Sequence, residues 1–432
     1  MKLFNQLFNN QFNFFDRLSL LLFSILPISI IIGNAAININ LLLIDLLFII
    51  YCFKFRIWSW LRKNIFLYLM TLYIFLNLNS LYSYFFLFEN QIDPFWTNDG
   101  IKRSFTFIKF VLLVSASSIL LKDRKILDLV HKSWFFIMII IIVDIFFERL
   151  VGRNIIGNIS PDGTRIVSFF KDELVVGGLV FCFGYASITY FMNNKEKSKY
   201  ILPIMMIFLL VPLSIFITGE KSNFIKSILL FFSIIYFFKK NNYYLNYKVL
   251  LTSIFILIFC SLALSKNMRV KYYETYSRIV APSKVLVSGE NIYNIKYFAH
   301  YDIAIKIFRN YPIAGVGNKN FRVECFKERY RYRNNMMHFG CITHPHQIHF
   351  EILSEQGILG YILILYLIVS FTFKNLKRAI KNKNVYHLSN TVYLLIFFIP
   401  LLPGGGIFST FNGILFWIIF SLTNLNYEKS KY

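Results

Sequence analysis

The chain has 432 residues, of which 56% are hydrophobic and 19% aromatic, and a formal net charge of +24. Its mean hydropathy of +0.55 excludes a soluble domain of this size. The positive charge lies in runs between apolar segments, which points to a membrane surface and away from nucleic acid.

A hydrocarbon core about 30 Å thick needs roughly 20 mostly apolar residues per helix. Twelve such spans are predicted, at 18–36, 39–53, 64–86, 104–121, 133–147, 173–192, 201–218, 222–238, 249–265, 353–373, 386–402 and 407–423. Lys2 and Arg17 precede the first apolar run, and the small residues Gly33, Ala35 and Ala36 follow it, as around a signal peptide. The run is long for such a segment and further spans follow at once, so it is read as a retained helix.

Alternate connections carry Lys54, Arg56, Arg62 and Lys63; Lys122, Arg124, Lys125 and Lys132; Lys195, Lys197 and Lys199; Lys239, Lys240 and Lys248; and Lys374, Lys377, Arg378, Lys381 and Lys383. The short connections between them are poor in cations. Positively charged loops stay in the cytoplasm, so both termini are expected there, which requires an even number of spans. The expected fold is all-α and polytopic. Residues 1–265 hold membrane helices 1–9, residues 266–346 a large, partly helical external loop, and residues 347–432 an interfacial helix with membrane helices 10–12.

The external loop is unusually basic, with Lys266, Arg269, Lys271, Arg278, Lys284, Lys296, Lys306, Arg309, Lys319, Arg322, Lys327, Arg329, Arg331 and Arg333. Such a surface suits a phosphate or diphosphate headgroup, or else is a solvated face balanced by outer-leaflet lipid. Within it, 297–310 has helical periodicity through Phe298, Tyr301, Ile305 and Phe308. Pro312 then stops the helix, and Gly315 and Gly317 make a tight turn.

Cys52, Cys182 and Cys260 fall in spans, where thiols behave as small apolar groups. Cys325 and Cys341 both lie in the external loop, and an oxidising milieu there predicts a disulfide between them.

Next come His344, Pro345, His346 and His349, just ahead of a span. Zinc could use these histidines with Glu351 or Glu355, since pairs one helical turn apart occur in zinc sites, but no second half of such a site is evident. A loop-capping histidine is a second reading. A catalytic base is a third, because imidazole titrates near neutral pH and can accept a hydroxyl proton.

The spacing from His346-Gln347 across nine residues to Gly357-Ile358-Leu359-Gly360 resembles the His-[Asn/Ser/Gln]-x9-Gly-x-x-Gly signature of bacterial O-antigen ligases. "HPHQIHFEILSEQGILG" is similar to the His-Pro-His-Asn stretch of the wider ligase and Wzy-type polymerase superfamily. "PIAGVGNKNF" resembles the Pro-[Leu/Ile]-x-Gly-x-Gly element that precedes it there. The resemblance implies a metal-independent, inverting glycosyltransferase without a cofactor in the bacterial inner membrane, with its active site at the periplasmic face.

Its donor would be an undecaprenyl-diphosphate-linked glycan. Its acceptor would be a lipid A-core hydroxyl in a ligase, or another lipid-linked repeat in a polymerase. His346 matches the family's proposed base and Glu355 the glutamate just before Gly-x-x-Gly. His344 and Pro345 would shape the approach, and Gly315, Gly317, Gly357 and Gly360 would be structural. "TGEKSNFI" stands where the family has an Arg-x3-Leu motif, with Lys221 for the arginine and Ile225 for the leucine. Lys296 is nearest to a further family arginine, and Arg278, Arg309 and Arg322 are additional diphosphate candidates. Lysine offers a point charge where arginine offers a bidentate fork, which keeps the polymerase open. A lipid-linked oligosaccharide flippase or transporter would concentrate ionisable residues at mid-membrane. Ionisable residues inside the spans are few (Asp45, Lys109, Asp144 and Lys226), so that class is disfavoured.

Overall fold

The computed structural model describes residues 12–87, 94–161, 163–171, 173–193, 201–241, 247–264, 269–270, 272–273, 296–330 and 341–425. Arg278 and the side chains of Lys296 and Cys260 lie outside the described residues. The described residues are helical, with no strand among them.

In chain order the helices are α1 (Phe14–Ser24), α2 (Leu26–Ile32), α3 (Asn34–Phe55), α4 (Asn64–Tyr82), α5 (Pro94–Thr106), α6 (Ile108–Leu120) and α7 (Arg124–Val151). They continue with α8 (Val176–Asn193), α9 (Ile201–Thr218), α10 (Lys221–Lys240) and α11 (Tyr247–Leu264). The last four are α12 (Lys296–Asn310), α13 (Ile348–Lys381), α14 (Val385–Phe397) and α15 (Thr410–Thr423).

Each of the twelve predicted segments is largely helical. Among the described residues six helices are long and apolar enough to cross a membrane: α3, Asn64–Leu87, Asp99–Leu120, α8, α10 and α13. The first predicted span is two pieces, α1 and α2, bent by 44°. Asn13 caps α1 reciprocally with Asp16, and Pro27 opens α2, where its missing N–H costs nothing.

The interior is set by α14 and α15. Ile414, Phe416, Trp417, Ile418 and Phe420 of α15 are all fully buried, as expected of a helix apolar all round. α14 packs on α8, α10, α13 and α15, and α15 on α3 and α6. The outer helices turn apolar faces outward. On α3, Ile39, Leu42, Leu46, Ile50 and Phe53 are exposed at three- and four-residue spacing. On α13, Ile362, Tyr366, Val369 and Phe373 repeat the pattern. Stripes of this extent belong against lipid tails rather than water.

A second, smaller core is built by Ile303, Ala304 and Ile307 of α12 with Val316, Phe321, Cys325, Tyr330 and Cys341. The helix predicted at 297–310 is present, and its buried face carries His300, Tyr301, Ile303, Ala304 and Ile307, while Phe298 is 46% exposed. Cys325 and Cys341 form a disulfide across a separation of 16 residues, a closure worth ~3 kcal/mol in the chain-entropy model. Intact mass after alkylation should show both sulfurs protected until reductant is added. Replacing both cysteines by serine should lower the unfolding temperature; alkylation of both without reductant would contradict the bond.

Candidate functional site

Two glycine-bearing segments meet at a break in α13. Gly357 has φ +63 and ψ −166, so the helix stops there and restarts. The orphaned backbone groups are taken up by the 312–317 turn. Val316 N–H donates to the Ser354 carbonyl (3.0 Å) and Gly317 N–H to the Glu355 carbonyl (2.8 Å). From the other side, Ile358 N–H donates to the Pro312 carbonyl (2.8 Å) and Leu359 N–H to the Ile313 carbonyl (3.2 Å). The two motifs thus form one backbone lock. At Gly315, φ is +69 and a Cβ would lie 2.6 Å from Gln356 N; at Gly357 it would lie 2.6 Å from Gly315 N and collide with the Ile313 carbonyl. Gly360 lets α13 approach Phe75 of α4, and Asn79 Nδ2 adds a bond to the Glu355 carbonyl (3.1 Å).

The histidines sit at the start of this helix. Gln347 is its N-cap, its side-chain oxygen accepting from the N–H groups of His349 (2.8 Å) and Phe350 (3.1 Å). Pro345 is buried. His346 takes φ +56, a region uncommon for a non-glycine residue, and its carbonyl accepts from Gly404 N–H at 2.7 Å. Its half-buried ring lies 4.3 Å from that of His344 and 5.8 Å from that of His300, centroid to centroid. Burial pushes the His344 imidazole down to about 4; Glu351 opposes this, while Lys319, Arg322 and His300 reinforce it. His344 is therefore neutral near pH 7. His349 faces away: Tyr361 Oη lies 3.0 Å from its Nδ1, and its Nε2 donates to the Phe398 carbonyl at 2.8 Å. That ties α13 to the end of α14, a role the sequence did not suggest.

The carboxylates of α13 are held from the turn. Lys319 Nζ pairs with Glu351 Oε1, and Lys319 N–H donates to Glu355 Oε2 at 2.9 Å. Glu351 interacts electrostatically with His344 and His346. Among the described residues Glu351 Oε2 and Glu355 Oε1 accept no hydrogen bond although both are buried.

The predicted cations are dispersed. Arg322 is mostly buried and lies 3.6 Å from Asp99 of α5, close enough to influence His344. Arg309 is exposed at the end of α12. Lys221 begins α10, half-buried; in the same helix Ser222 and Lys226 both donate to the Pro403 carbonyl, next to the Gly404 that holds His346. Two residues of the cluster were not singled out from sequence. His300 could have been, as a histidine in register with buried Ala304 and Ile307. Lys319 is one cation among many until the turn places it under Glu351. Among the described residues no group of three or more His, Cys, Asp or Glu is placed to hold a metal ion.

Residues 204–365 match the family model described as O-Antigen ligase. Over these residues the chain is similar to that family, which supports the O-antigen ligase-like superfamily. No curated protein matches the chain. The matched region contains the His346 cluster, both glycine segments, Lys319, Glu351 and Lys221. The match and the apolar helices support a multi-pass membrane protein with a ligase- or polymerase-type, glycosyltransferase-like activity on lipid-linked glycans.

Proposed function

We propose that the protein is an O-antigen ligase that moves a glycan from undecaprenyl diphosphate to a sugar hydroxyl of the lipid A core, at the periplasmic face of the inner membrane. The observation that carries this is His346 at the head of an apolar helix, its carbonyl gripped by Gly404 N–H and its ring beside that of His344, on which Lys319 and Arg322 act, within the family-matched region. In this reading the twelve helical segments all span, both termini are cytoplasmic, and the α12 region with its disulfide is periplasmic.

His346 takes the proton of the acceptor hydroxyl as the oxygen attacks the anomeric carbon. The bond from that carbon to the diphosphate oxygen breaks, and its electron pair leaves with undecaprenyl diphosphate. Attack opposite the leaving group inverts the anomeric centre, and no metal is required for any step. Cations of the predicted set, with Arg322 acting on neighbouring His344 and Lys221 at the head of α10, offset the charge growing on the diphosphate.

Lys221, standing where the family has arginine, favours a second reading as a Wzy-type polymerase, whose acceptor is another lipid-linked repeat. Deletion followed by lipopolysaccharide electrophoresis separates the two. A ligase leaves bare core while lipid-linked polymer accumulates. A polymerase leaves core bearing a single repeat. Unchanged surface glycans would defeat both.

A further inference from the structure

Lys319 and Glu351 form an ion pair that the reaction above does not use. Their side chains are only 3% and 1% exposed. Taking two charges out of water costs several kcal/mol per ion, so a buried pair is poorly explained as a device for stability. This one reaches His346 by two routes. The first is electrostatic, because Glu351 acts on His344 and His346 while Lys319 supplies the opposing charge. The second is mechanical. The Glu351 carboxylate lies against Gly406, where a Cβ would sit 2.5 Å from Glu351 Cδ. Gly406 belongs to the same loop as Gly404, whose N–H holds the His346 carbonyl. Lys319 also binds Glu355 through its own N–H, so one residue fastens two carboxylates a helical turn apart.

We propose that Lys319 and Glu351 are positioning residues for glycan transfer: the pair sets the charge that His346 meets and braces the loop that holds its backbone. This rests on His346 being the base. The other charged or titratable groups are His300 and Arg322 facing His344, Glu355 facing the pair itself, and Lys226, which reaches the bracing loop from α10. A carboxylate holds a proton on imidazole, and an ammonium repels it. Without Lys319 the Glu351 charge falls wholly on the histidines, and the base is freed only at higher pH. Without the Glu351 carboxylate Lys319 and Arg322 act unopposed, and the base is freed at lower pH but is weaker.

The test is the pH profile of transfer by the full-length protein, using lipid-linked glycan from a deletion strain and purified lipopolysaccharide core. Lys319→Met should move the limb reporting the base up by about one pH unit, and Glu351→Gln should move it down by about one unit. The double variant should return it to the wild-type position, and Lys319→Arg should leave it unmoved. Folded single variants with reduced rates but an unmoved limb would overturn the proposal, as would equal losses in Lys319→Arg and Lys319→Met. If a single variant does not fold, Glu351→Asp replaces it: a smaller downward shift supports the proposal and an unmoved limb overturns it. His346→Ala run alongside keeps the two ideas apart. An active His346→Ala removes the base itself, whereas an inactive one beside unmoved limbs removes only the role of the pair.

Discussion

Replacing His346 by alanine is expected to abolish glycan transfer while leaving the protein folded in the membrane. A positioned general base contributes typically about 10²–10⁴-fold to a rate, so the loss should reach the background of most assays. Folding should survive, because the imidazole is only half-buried and its neighbours are held by other bonds. Gln347 caps α13 with its own side chain, and Gly404 grips the backbone carbonyl of residue 346, which alanine retains. Transfer measured on purified protein, with unfolding temperature as the control, decides the matter. A folded variant with normal transfer would refute the base assignment.

Gly357→Ala should be the most damaging of the small substitutions. Alanine there meets two penalties at once. A backbone at φ +63, ψ −166 lies in a region essentially confined to glycine, and costs a residue with a Cβ about 1–3 kcal/mol. The methyl also has no room, since it collides with the Ile313 carbonyl and sits 2.6 Å from Gly315 N. Overpacking of that kind adds about 1–3 kcal/mol. The expected result is a lower unfolding temperature together with strongly reduced transfer, because separating the two segments also displaces Lys319 from Glu351. A variant of wild-type stability would mean that α13 can continue straight through residue 357.

Hydropathy located the helices because burial against lipid or core is a property of whole segments. It did not locate their interruptions. The first span reads as one apolar run over 18–36, yet it bends between Ser24 and Leu26 and stops before Gly33. A window of about 20 residues averages over one bend, and only Pro27 hints at it. The span predicted at 353–373 likewise reads as continuous, yet α13 breaks at Gly357, directly after the polar Ser354, Glu355 and Gln356.

The site divides in the same way. His346 and the glycines were picked out by their spacing, and the backbone bonds between 312–317 and 354–359 give the glycines a physical reason. Lys319, His300 and the anchoring role of His349 were not, since each depends on a partner far along the chain or on a helix face. In α12 the periodicity named Tyr301, which is buried, and Phe298, which is 46% exposed, but not His300, Ala304 or Ile307, which complete the packed side.

The lock between residues 312–317 and 354–359 is made of main-chain groups alone. Ile313 is 65% exposed, Ile358 38% and Leu359 52%, so their side chains point away from the junction they belong to. Evolution can therefore exchange these outward residues to suit a bilayer of different thickness or lipid content, while the histidine they flank keeps its place.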